Sequence, residues 1–95
     1  MNIYRVTRTD DWGYDDFSDF VCVAPDEETA RKIAPESIKK YNMSYDPVEF
    51  LDDSTAWVWG WVEADKIDTL KVELIGVANE SYSSIQILCA SYHAG

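Results

Sequence analysis

Eight carboxylates and no base fall between residues 9 and 30: Asp10, Asp11, Asp15, Asp16, Asp19, Asp26, Glu27 and Glu28. Six more occupy residues 41 to 65, again without a lysine or arginine: Asp46, Glu49, Asp52, Asp53, Glu63 and Asp65. Carboxylates at close spacing can do three kinds of work. They can hold a hard cation through oxygen ligands. They can act as an acid–base pair on a glycosidic bond. They can form a charged surface that attracts basic partners. The group Asp10, Asp11, Asp15, Asp16 lacks the alternating ligands and distant bidentate Glu of a calcium loop, so no metal is assigned. A chain of 95 residues leaves little room for a sugar cleft. The surface reading remains.

Other chemistries lack their parts. His93 is the single histidine, so any Ser-His-Asp or Cys-His arrangement would have to use it. Cys22 and Cys89 lie in apolar runs and read as two buried free thiols. With His93 they lack the paired spacing of a zinc site. There is no phosphate-binding glycine loop and no nucleophile elbow. No catalytic residue and no cofactor are expected, and the protein reads as a non-enzyme.

Aromatic residues are threaded through both acidic stretches. Trp12 and Tyr14 stand in the first, Trp57 and Trp59 in the second. Tryptophan and tyrosine are enriched where binding energy concentrates. The candidate partner-binding residues are therefore Asp10, Asp11, Trp12, Tyr14, Asp15, Asp16, Asp19, Asp52, Asp53, Trp57 and Trp59. Formal net charge is −10, which opposes direct contact with nucleic acid. No run approaches the length of a membrane span. Arg5, Arg8 and Asp10 interrupt any apolar signal region, so a cytoplasmic protein is expected.

These residues must be positioned by a small fold. Residues 2–8 alternate with Tyr4 and Val6 on one face, which predicts a strand. Residues 18–24 form a second strand, central in its sheet because its apolar run implies burial on both faces. Asp26 is placed as the cap of a helix with Glu27 and Glu28 in its first turn and an apolar face of Ala30, Ile33 and Ala34. Pro35 limits that helix. Residues 36–55 read as an inserted loop. Residues 56–62 alternate so that Trp57, Trp59 and Trp61 share one face of an extended segment. Strands follow at 69–78 and 84–92, with Ile85, Ile87 and Cys89 on one face of the latter.

The expectation is one α+β domain over residues 1–95. It has an antiparallel four- to five-stranded sheet in the order β-β-α-(β)-β-β, with one helix on one face. Short turns imply a hairpin at each end of the chain. Phe20, Cys22, Ile33, Val72, Leu74, Ile85 and Ile87 form the expected core.

Several segments together resemble a group of small uncharacterised proteins encoded by bacteriophages. They are Tyr4-Arg5-Val6-Thr7-Arg8-Thr9-Asp10, then Phe20-Val21-Cys22-Val23-Ala24, and a short helix with Ala30-Arg31 ending at a proline. Val72-Glu73-Leu74-Ile75-Gly76-Val77-Ala78 and Ile87-Leu88-Cys89-Ala90-Ser91-Tyr92-His93-Ala94-Gly95 complete the likeness. Residues 36–55 lie outside it. The resemblance implies a phage accessory protein acting on host machinery, and brings no activity or catalytic residue.

Three functional readings follow. The first is a non-catalytic inhibitor or modulator of a basic host protein or nucleoprotein complex, such as a CRISPR effector or restriction complex, whose channels are positively charged. The second is a mimic of duplex DNA, with carboxylates in place of phosphates. The third is a structural protein assembling as a homodimer or larger homo-oligomer, through a strand edge or the tryptophan face.

Overall fold

The computed structural model describes residues 1–13, 16–35, 49–51 and 60–93. It is a small α+β domain built on one antiparallel sheet. Strand β1 is Asn2–Thr7 and β2 is Asp16–Ala24. Helix α1 is Glu27–Arg31, and the short strands β3 (Ile33–Ala34) and β4 (Glu49–Phe50) pair with each other. A 3-10 helix, Ala64–Thr69, leads into β5, Lys71–Val77, and β6 is Gln86–His93. The sheet order is β5-β1-β2-β6.

The first expected hairpin forms: β1 pairs with β2 from Asn2↔Ala24 to Thr7↔Asp19. The second does not. β5 takes the open edge of β1 and β6 the open edge of β2. This gives each of β1 and β2 two neighbours, as the apolar run of β2 requires. Residues 78–85 carry the chain across one end of the sheet. That crossing is about 14 Å, three strand spacings, well within the reach of the linking segment.

Three register shifts decide which side chains reach the core. In β2 the shift lies between Phe17 and Asp19, leaving Ser18 as the extra residue. Phe17 and Phe20, three apart, are therefore both buried in one cluster. In β6 the shift leaves Leu88 extra, so Ile87 opposes Cys22 and Ala90 opposes Phe20 on the core face. Cys89 opposes Val21 on the other face and is exposed, contrary to the expected burial of both thiols. In β5 the shift leaves Ile75 extra, with Leu74 opposite Tyr4 and Val77 opposite Asn2.

Phe20, Cys22, Ile33 and Ile87 are buried as expected, and Val72 and Ile85 pack against them in part. Leu74 is not core: it is 62% exposed. It has the expected face, since its partner Tyr4 is buried, but it lies on an outer strand that the short helix, tied to the start of β5 through Arg31 and Leu70, covers only in part.

Asp26 caps α1 as expected, accepting from the Thr29 amide at 2.8 Å with its own backbone extended. The helix is shorter than the apolar pattern implied. It ends at Arg31, and Ile33 and Ala34 are in β3. Pro35 restricts the residue before it to extended backbone, which suits Ala34 in a strand. Arg31 donates to the carbonyls of Ile67 (3.1 Å) and Leu70 (2.6 Å), tying α1 to the end of the 3-10 helix.

Part of the expected inserted loop is structural. Glu49–Phe50 forms β4, and Leu51 is buried with its amide on the Lys32 carbonyl at 2.7 Å. The rest of residues 36–55 lies outside the described residues, as do Trp57 and Trp59. Of the three indoles expected on one face, Trp61 is a core residue. It is tilted against Phe20 with ring centroids 5.3 Å apart. Gly60, just before it, has a φ of 74°, which only glycine adopts without strain. Its carbonyl accepts from the Phe17 amide at 2.8 Å, fastening this turn to β2 beside the register shift.

Candidate interaction surface at the β1–β2 turn

The turn after β1 begins with Arg8, whose amide still bonds across the hairpin to the Ser18 carbonyl at 3.0 Å. The Arg8 side chain is only 8% exposed. It grips Asp10 with two parallel bonds, Nε to Oδ1 and Nη2 to Oδ2, each 2.8 Å. Its Nη1 is 3.8 Å from Asp16 Oδ1 but makes no hydrogen bond. The guanidinium lies 5.8 Å from the centre of the Trp61 ring. Asp16 in turn accepts from the Gly13 amide at 3.0 Å. Thr9 fixes the other side of the turn through its hydroxyl, which donates to the Thr69 carbonyl at 2.7 Å.

These contacts set the charge states. The two bonds from Arg8 hold the Asp10 carboxyl below the usual range, and the same bonds raise Arg8. Asp19 sits on the opposite face of β2. Burial pushes its carboxyl up, but hydrogen bonds from Ser18, Arg5 and Ser91 outweigh that and leave it lowered. Arg5 meets Asp19 at 2.9 Å.

Trp12 is 43% exposed and does not dangle. Its ring lies over His93 with centroids 4.1 Å apart and an interplanar angle of 31°. His93 is pinned from below: its Nε2 is 3.0 Å from the Ser18 hydroxyl. Ser18 donates its proton to Asp19 Oδ1 at 2.9 Å, since an ionised carboxylate only accepts. The hydroxyl must therefore accept from Nε2–H of His93. In this arrangement His93 is a donor to Ser18 and takes no proton from it. The pair braces Trp12.

A pocket of about 280 Å³ opens beside Arg8, lined also by Asp10, Trp61, Val62, Glu63 and Lys66. Among the described residues its lining has two acids, two bases and an indole, and no hydroxyl or thiol nucleophile. Among the described residues, no three His, Cys, Asp or Glu side chains converge as metal ligands.

Of the sequence-derived candidates, the structure brings Asp10, Asp11, Trp12, Asp16 and Asp19 to one end of the β1–β2 hairpin. Tyr14, Asp15, Asp52, Asp53, Trp57 and Trp59 lie outside the described residues. The acidic run is less naked than its composition suggests. Asp10 and Asp16 face Arg8, and Asp19 faces Arg5. Both arginines stand just upstream of the acidic run, on or beside β1. The diagonal of an antiparallel pair, with Thr7 opposite Asp19, is the signal that finds Arg5 against Asp19. Asp11 is exposed and closest in sequence to Trp12. No protein-family model, no curated protein and no solved structure matches this chain.

Proposed function

We propose that the protein is a non-catalytic binding protein whose β1–β2 turn meets a basic surface on another protein. Trp12 carries this reading. It is a large ring left 43% exposed, yet stacked on His93, which Ser18 holds in place. An ordered exposed indole has already lost the freedom that binding would otherwise cost it. The net charge of −10 supplies long-range attraction for a basic partner, and Asp11 supplies a carboxylate next to the ring. Resemblance of the chain ends to phage accessory proteins points to a host protein or nucleoprotein complex in the bacterial cytoplasm. Inhibition of a defence complex is the corresponding role. No helix among the described residues is long and apolar enough to cross a membrane. DNA mimicry has less support, because Asp10, Asp16 and Asp19 are turned onto arginines and not spread in a phosphate-like row.

The test is affinity capture from bacterial lysate at low and high salt, followed by kinetics on the protein recovered. Trp12→Ala should speed dissociation by roughly 30-fold, the equivalent of about 2 kcal/mol for an anchor residue. Asp11→Asn should slow association and leave dissociation near wild type. A folded Trp12→Ala protein that releases the same partner at the wild-type rate overturns the assignment of this surface.

A further inference from the structure

The opposite end of the sheet carries a different surface. Leu74, Ile75 and Val77 on β5 are 62%, 53% and 77% exposed, and Met1 beside them is 38% exposed. The Ala78 amide on the Met1 carbonyl at 2.8 Å joins Met1 to the end of β5. Because Ile75 is the extra residue of the register shift, Leu74 and Val77 oppose Tyr4 and Asn2, which share the helix-covered face. Leu74 and Val77 therefore continue the core face beyond the Arg31–Leu70 contact of the helix, with Ile75 and Met1 beside them. Its exposed area is on the order of 400–500 Å², the size of the largest apolar patch on a typical monomer, which is often functional.

Charge selects the occupant. The chain as a whole is at −10, but residues 74–78 carry no charge. The two charges earlier on β5, Lys71 and Glu73, meet each other at 3.5 Å. A basic partner gains nothing here. Two copies of this chain, which repel each other elsewhere, meet with least repulsion across this strip. β5 is an outer strand whose far edge has no strand partner among the described residues. An antiparallel β5–β5 approach about a twofold between Ile75 and Gly76 places Leu74 of one copy against Val77 of the other. Two such strips together bury about 800–1,000 Å², the lower limit for a specific interface.

We infer that the protein self-associates as a twofold dimer through the Leu74–Val77 strip of β5. The seam is made by side chains more than by backbone pairing, since the shift at Ile75 interrupts a regular ladder. It lies at the Asn2 end of β1, away from Trp12, and does not depend on the binding role given to that residue.

Light scattering and sedimentation equilibrium of the full chain, from about 5 to 500 µM, test it over the range suited to an interface of this size. The wild-type mass should rise with concentration from 10.9 kDa toward twice that value. Leu74→Lys and Val77→Lys should each stay monomeric throughout, with unchanged circular dichroism. Both changes make the net charge less negative, so loss of the dimer cannot come from added acidic repulsion. Val77 is so exposed that its replacement decides the matter if Leu74→Lys folds poorly. Trp12→Ala should dimerise like wild type. A wild-type protein that stays monomeric overturns the inference. So does a dimer that survives both lysine substitutions, or one lost with Trp12→Ala.

Discussion

Removing Arg8 tests the electrostatics of the turn. Arg8→Ala breaks the paired bonds to Asp10, the longer contact to Asp16, and the approach of the guanidinium to Trp61. Charge-assisted bonds of good geometry contribute about 1.5–3 kcal/mol when both partners are buried. Asp10 is 47% exposed, so solvent screens the pair and its net share falls to about 1 kcal/mol. The buried stem and the ring contact add about another 1 kcal/mol. A total near 2 kcal/mol lowers Tm by about 8–16 °C in a domain of this size. Urea unfolding of Arg8→Ala, Asp10→Ala and the double variant should give a coupling of about 1 kcal/mol. The pH dependence has a fixed sign. Asp10 is lowered in the folded state, so its share is complete above the ordinary carboxylate value of about 3.9 and fades as pH falls through the lower folded value. Arg8→Ala should flatten that acid limb. A loss under about 0.5 kcal/mol, or a zero coupling, would show that the guanidinium is a spectator.

Two further measurements separate the faces of the sheet. Native protein should titrate one thiol with a disulfide reagent, the exposed Cys89; Cys22 is buried, its pKa pushed up to about 12, and should react only on unfolding. Two fast thiols would contradict the register of β6. Phe20→Ala, which strips a fully buried ring from Trp61, should cost about 3–5 kcal/mol in chemical denaturation. Leu74→Ala, measured at protein concentrations low enough to hold a monomer, should stay within about 0.5 kcal/mol. Equal losses would mean that the helix covers more of β5 than described.

Much of the frame was legible in the residues. Alternation put Tyr4 and Val6 on one face, the apolar run of β2 made it central, and Asp26 announced the helix start. Two side-chain placements that the sequence reading missed come from a single extra residue each. A register shift changes which face a side chain takes without changing composition, so Phe17 joined Phe20 and Cys89 left Ile87. The choice of opposite edges for β5 and β6 is a non-local decision that no short window contains. The same holds for the site. Its acids and Trp12 were visible, but what restrains them was not: Arg8 folds back from the strand end, and His93 arrives from the far end of the sequence.

The strand order also governs how the chain must be assembled. β1 and β2 are joined by one turn, while their outer partners come from residues 71–93. Loop closure over that separation is entropically expensive, so the hairpin forms early and the outer strands dock late. On the ribosome, at about 5–20 residues per second, the hairpin stands for seconds with both edges open. The acidic turn and the chain's large negative charge act in that interval. They keep nascent copies apart while the apolar run of β2 waits for its last neighbour.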